Sequence, residues 1–222
     1  MRAIASILLP FSFFAILVLS SCEKKDDTAP VITILGDNPL IVAIGIQNFT
    51  DPGASATDDT DGDLSTSIET ESNVNTNLKG NYSIVYSVSD AEGNTGTATR
   101  YVFVVNESEF LAGTWNIIDN KIGPGGTPIQ ANYQDAISTD DTLNNRFWVT
   151  MFGNNANARV YLDRVTATQC QIPQQEISCG TPPALHRFFG SATVVDTNQI
   201  IINYTEIVGG TTYSGSSTLT RR

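Results

Sequence analysis

The run Asp58-Asp59-Thr60-Asp61-Gly62-Asp63 places four carboxylates around one glycine. Hard cations take several carboxylate oxygens on a bendable loop, so the pattern points to calcium held by Asp58, Asp59, Asp61 and Asp63. It is not an EF-hand: with Gly62 at the sixth loop position, Thr57 and Ile68 fall where acids are needed. The same aspartates can instead close turns by accepting backbone N–H bonds, and both readings stay open.

Other chemistry finds few residues. A nucleophile needs an adjacent base, and His186 is the sole histidine; beside Leu185 and Phe188-Phe189 it reads as an ordinary strand-edge residue. Gly-x-Ser-x-Gly and Gly-Lys-Ser/Thr do not occur, and Gly123-Pro124-Gly125-Gly126 reads as a loop. No catalytic residue is assigned, and the chain is not expected to be an enzyme. Glycoside hydrolysis needs only two well-separated carboxylates, so with 23 acids in the chain a polysaccharide-active hydrolase stays as a remote alternative.

Ligand candidates come from aromatic residues. In the stretch 146–152, Phe147, Val149 and Met151 share one face, while Trp148 and Phe152 share the other with Arg146 and Thr150. Tyr161 alternates similarly between Val160 and Leu162. Trp148 and Tyr161 can stack on sugar rings or line a pocket, and burial on both sides of a strand gives the same pattern. Tyr101 and Phe103 stand outside Val102 and Val104, where they are expected to pack against a second domain.

These residues must be positioned by an exported chain. Arg2 and the apolar stretch from Ile4 to Val18, broken by Ser6, Pro10 and Ser12, read as an export signal too short and interrupted for a membrane span. Leu19-Ser20-Ser21-Cys22 resembles the lipobox of bacterial lipoproteins. That resemblance implies removal of residues 1–21 and a lipidated Cys22 at the mature start. At about 0.8 kcal/mol per buried methylene, two or more acyl chains hold a protein in a membrane where one does not. Glu23-Lys24-Lys25-Asp26-Asp27 is similar to the charged tag that sends lipoproteins of Bacteroides-type bacteria through the outer membrane to face the medium. A solvated tether over residues 22–29 explains the same charges. Asp27-Thr28-Ala29 and Asp141-Thr142-Leu143 resemble O-glycosylation acceptors of the same bacteria.

With Cys22 lipidated, Cys170 and Cys179 remain, and in an exported protein they are expected to form a disulfide. Closing so short a loop would stabilise by roughly 2.5 to 3 kcal/mol. They do not suit zinc, because there is one histidine and no second cysteine pair.

The net charge is −11, and no basic stripe occurs, so nucleic acid is not an expected partner. Residues 29–105 hold ten acids and two bases, whereas 107–222 hold ten acids and seven bases, an asymmetry that argues for two units. From Pro30, short β-rich runs alternate with turn formers: VITIL, LIVAI, SIETE, YSIVYSV and TATRYVFVV. No stretch sustains helical periodicity, so residues 30–105 are expected to form an antiparallel sandwich. Phe49-Thr50-Asp51-Pro52-Gly53-Ala54, Ala56-Thr57-Asp58, Asp61-Gly62-Asp63-Leu64, Gly80-Asn81-Tyr82 through Tyr86, Asp90 and Gly93-Asn94 resemble the bacterial immunoglobulin-like repeat of a pesticidal crystal toxin and many surface proteins. The resemblance covers about residues 28–105 and implies a spacer or adhesive module.

After a polar linker at 106–109, residues 110–222 offer strands at 114–118, 146–152, 158–165, 188–195, 199–207 and 211–220, with another near 129–133. The stretch 171–178 reads as a loop pinned by the cysteines. So long a meander closes into a barrel or folds into two sheets. Gly113-Thr114-Trp115 with Arg221-Arg222 is similar to the pattern of lipocalin-like barrels, in which an arginine covers the tryptophan. The expected protein is all-β: an Ig-like sandwich followed by an antiparallel barrel or sandwich. The expected role is a surface-exposed outer-membrane lipoprotein displaying a binding domain for a glycan or other extracellular ligand. The alternative is a structural or adhesion lipoprotein that meets an envelope protein. No cofactor other than calcium is expected.

Overall fold

A computed structural model describes residues 25–222; the stretch read as an export signal and Cys22 lie outside the described residues. The described chain is all-β, and its first unit is a two-sheet sandwich. One sheet holds β1 (Val31–Ile34), β3 (Ala54–Asp58) and β4 (Gly62–Asp63); the other holds β2 (Leu40–Ala43), β7 (Thr95–Val105), β6 (Gly80–Ser89) and β5 (Glu69–Ser72) in that order. β2 runs parallel to β7, and the remaining pairs are antiparallel. The period-two alternation of β6 and β7 turns Ile84, Tyr86, Val102 and Val104 inward onto Ile44, where they form the core.

One inward position is charged. Arg100 is fully buried, and its Nε lies 2.9 Å from Asp51 Oδ1 and donates to Tyr86 Oη at 3.1 Å. Its remaining N–H groups reach the carbonyls of Leu35, Asp37 and Gly53. Asp51, Gly53 and Tyr86 belong to the stretches that carry the Ig-like resemblance, and Arg100 is the residue that ties them together. The chain leading into β1 is docked from Asp26 onward: Asn94 Nδ2 donates to the Asp26 carbonyl at 3.3 Å, and an added Cβ at Gly96 would collide with the Pro30 carbonyl.

The second unit is a closed barrel of eight antiparallel strands in sequence order. They are β8 (Gly113–Ile122), β9 (Pro128–Thr139), β10 (Arg146–Val149), β11 (Val160–Arg164), β12 (Gln169–Cys179), β13 (Ala184–Asp196), β14 (Gln199–Val208) and β15 (Thr211–Arg221), with β15 pairing back to β8. Closure removes free sheet edges. Leu111, in a short 3-10 turn (Glu109–Leu111), and Trp115 seal the end where β8 begins. Trp115 Nε1 donates to the Leu111 carbonyl at 3.0 Å, and the Arg221 guanidinium lies 4.8 Å from the Trp115 ring while donating to Ala112 O and Thr197 O. The arginine cover expected from the terminal residues is therefore formed by Arg221.

The cysteine expectation is corrected here. Residues 171–178 are the body of strand β12, and Cys170 and Cys179 are buried free thiols near its two ends. Nine residues of extended chain separate their Cα atoms by about 30 Å, whereas a disulfide needs less than about 7 Å. Burial pushes each thiol up to about 11. A second correction concerns the 146–152 stretch: β10 stops at Val149, and Phe152 falls in a 3-10 turn (Phe152–Asn154) that carries it into the barrel core.

Hydrogen bonds join the sandwich and the barrel, and Tyr101, expected to pack against the second domain, is not buried there. Tyr101 is 55% exposed. Asn106 is buried, and its Nδ2 donates to the carbonyls of Asp140, Leu143 and Arg146 at 2.9–3.0 Å, all in or beside the β9–β10 loop. The Lys79 backbone N–H donates to Asp141 O at 2.7 Å, and Lys79 Nζ lies 2.7 Å from Glu109 Oε2. Arg164 donates to Ser108 Oγ and Glu107 O.

Candidate functional site

The barrel end opposite this junction holds a cavity of about 250 Å³, lined by Asp119, Lys121, Ile129, Glu206, His186 and Tyr213 among others. Strand alternation places them. On β8 the inward row is Trp115, Ile117, Asp119 and Lys121; on β14 it is Ile200, Ile202, Tyr204, Glu206 and Val208. Each row starts apolar at the sealed end and turns charged toward the open end.

Glu206 is 1% exposed and carries three partners: Lys121 Nζ at 2.6 Å on Oε2, and His186 Nδ1 at 2.5 Å and Asn155 Nδ2 at 3.0 Å on Oε1. A carboxylate taken from water this completely is stable only when paired and hydrogen-bonded. His186, read from sequence as a strand-edge residue, points inward from β13 and is buried against it. Below this group Asp119 accepts from Tyr204 Oη at 3.0 and 3.1 Å and from Ser217 Oγ at 2.6 Å. Burial, and then the Asp119 charge, push the Tyr204 phenol well above its ordinary range, so it stays a donor. Phe152 packs edge-on against Tyr204 and Phe188, closing the floor. The β10–β11 connection that supplies Asn155 is held by Asp135, which accepts from the backbone N–H groups of Thr150 and Met151 at 2.9 and 2.7 Å.

Chemically, the cavity presents a neutralised ion pair, an imidazole, amides and a tyrosine beside Ile129, Ala131 and Val208. The side-chain carboxylate oxygens of Asp119 and Glu206 all accept hydrogen bonds. Such a mixed wall has the makeup suited to a small polar molecule with an apolar face.

Trp148 and Tyr161 lie elsewhere, paired across β10 and β11 on the outer wall of the barrel and half-buried. Their rings meet edge-on at 5.4 Å. The Arg159 guanidinium lies 4.3 Å from the Trp148 ring and that of Arg146 lies 3.8 Å from the Tyr161 ring, with Arg146 held bidentately by Asp163. Each aromatic already has a cation over it.

The four aspartates of the acidic run do not converge as one set. Asp58 and Asp90 approach Asp26, with carboxylate oxygens within 4.8 Å of one another, and Asp61 forms a like group with Asp90 and Glu92. Asp59 is exposed and outside both groups. Asp63 turns to Ser65, accepting from its hydroxyl at 2.6 Å and its N–H at 2.9 Å, which hold the Asp63 carboxyl below its ordinary range. Turn closure is also real: Asp58 Oδ1 accepts from the N–H groups of Thr60 and Asp61.

Residues 32–104 match the family model described as bacterial surface protein, Ig-like domain. No curated protein matches the chain. Among solved structures it is similar to a lipoprotein of Bacteroides thetaiotaomicron, at 16% identity over 86% of this chain and 100% of that one, with a TM-score of 0.36. It is also similar to a protein of unknown function from Nostoc punctiforme, at 11% identity over 70% and 66% of the two chains, TM-score 0.32. A third is the pair of CBM51-2 and INT domains of ZmpB from Clostridium perfringens, in complex with GlcNAc, at 14% identity over 86% and 43%, TM-score 0.29.

Proposed function

We propose that the chain is a non-catalytic outer-membrane lipoprotein, anchored through Cys22 and facing the cell exterior, whose barrel holds a glycan or related extracellular ligand in its open mouth. The lipobox-like stretch supports the anchor, and the surface Ig-like domain at 32–104 supports the display role. The observation that carries the binding reading is the cavity built on a fully buried, three-partner Glu206 at the barrel end remote from the Ig-like domain. Buried polar networks cost stability unless completed, so charges placed inside a barrel that an apolar core would fill equally well point to a ligand. Carboxylates held by fixed protein partners support binding rather than hydrolysis. A lipocalin-like barrel, with one end sealed by the tryptophan and arginine and the other open, fits the same role.

The test is calorimetric titration of the full chain in detergent with neutral mono- and oligosaccharides. Binding is expected to weaken at least tenfold in Tyr213→Ala and to stay within about twofold in Trp148→Ala. The opposite ranking would move the ligand to the outer aromatic pair. No binding of any saccharide, with stable association to another envelope protein, would favour the structural reading, which the arginine-covered Trp148 and Tyr161 also suit.

A further inference from the structure

We infer that the sandwich end remote from the barrel binds a calcium ion between the tether and two turns, through Asp26, Asp58 and Asp90. These residues come from three separate segments: the chain before β1, the end of β3, and the turn after β6. Each contributes a carboxylate oxygen, and all three lie within 4.8 Å of one another. Four of the five acids gathered here, Asp58, Asp61, Asp90 and Glu92, make no ion pair with any described residue.

The independent sign of a ligand is a single atom. Asp58 Oδ2 is sealed from solvent and accepts no hydrogen bond, while Oδ1 is spent on Thr60 and Asp61. A buried carboxylate oxygen with no donor is costly, and turn closure does not account for it, because Oδ1 alone makes the turn. Asp90, itself buried, is fixed for the same purpose: Asn94 donates to Oδ1 through its backbone N–H and to Oδ2 through its side chain, both at 2.7 Å. A lone pair remains on each oxygen.

The ligand set chooses the metal. Carboxylate oxygens alone suit a hard cation. Oxygens within 4.8 Å of one another can all reach one ion at a calcium–oxygen distance of about 2.4 Å, and an irregular set drawn from three segments suits calcium's flexible coordination better than the near-ideal octahedron that magnesium demands. Asp61 and Glu92, grouped with the same Asp90, extend the negative field around the ion. The set differs from the four aspartates of the acidic run, since Asp59 and Asp63 take no part. The ion would pin the docked tether to the Ig-like domain at the end from which the lipid anchor leaves.

The probe is the metal alone, added to the full chain in detergent after chelation. Calcium is expected to raise the melting temperature by about 5 °C or more at saturation, and magnesium to do clearly less. Asp58→Asn is expected to melt higher than wild type in chelator, because one repelling charge is gone, and to lose the calcium response. Asp59→Asn should keep that response in full. Equilibrium dialysis of wild type with calcium should give at least one bound ion per chain, and this measurement decides the matter if Asp58→Asn does not fold. A calcium-independent melt of wild type, dialysis without bound ion, or a response lost in Asp59→Asn and kept in Asp58→Asn would each overturn the site.

Discussion

At the scale of single residues, the two buried thiols and the buried charges make the sharpest statements. Cys170 and Cys179 sit at opposite ends of one strand with both thiols pushed up to about 11 by burial. Without reductant, iodoacetamide should leave them unmodified in the native chain and alkylate both after unfolding in guanidinium, as read by intact mass; a disulfide would leave both unmodified in either state. Glu206 holds Lys121, His186 and Asn155. Glu206→Ala strands Lys121 without its counter-ion, and removal of one partner from a buried pair costs about 3–5 kcal/mol, measurable as a lowered denaturation midpoint. His186 escaped the sequence reading because a histidine flanked by Leu185 and Phe188 looks alike on either face of a strand; only the register of β13 against β14 turns it toward Glu206.

At the scale of elements, strand register and the junction carry the predictions. Gly215 on β15 lies under the Tyr204 ring, which an added Cβ would strike. Gly215→Ala should therefore cost about 1–3 kcal/mol and loosen the Tyr204–Asp119 hydrogen bond beneath the cavity. Asn106 serves three carbonyls of the β9–β10 loop; Arg146 O keeps the Asp140 N–H, so Asn106→Ala takes the donor from the part-buried carbonyls of Asp140 and Leu143, at about 1–3 kcal/mol. Calorimetry should then show the sandwich and barrel melting separately. The same junction responds to acid. Burial pushes the Glu109 carboxyl up, but hydrogen bonds from Lys79 and Thr139 outweigh it and hold it below its ordinary range. Its contribution is thus fully present above the unfolded value and fades as pH falls through the lowered one. Amide exchange at Lys79, whose N–H meets Asp141, should quicken over that window in wild type and lose this dependence in Glu109→Gln. Strand β12 was the element least legible in sequence: its Pro173 and polar glutamines conceal the period, which a bulge between Ile172 and Gln175 also interrupts.

At the scale of the whole molecule, the order of parts is the functional statement. The docked tether and acidic cluster occupy one end of the Ig-like domain, the Asn106 junction joins the other end to the barrel, and the cavity opens at the far end of the barrel. A lipid on Cys22 would then leave the cavity facing away from the membrane. Cys22→Ala in the intact gene should release the protein from the membrane fraction with its melting temperature unchanged, as checked by fractionation and calorimetry.

Patterning along the chain was enough for the all-β class, the sandwich-then-meander order, most strands and the tryptophan cover, because period-two alternation and turn residues are local properties. What required the tertiary structure was convergence. The grouping of Asp26, Asp58 and Asp90, the Glu206 network drawn from β8, β13 and β14, the burial of Arg100 and the separation of the two cysteines all depend on which strand lies beside which. Spacing in sequence carries little of that information, since one extra residue in a strand reverses the face of every side chain after it and a closed barrel brings its first and last strands together.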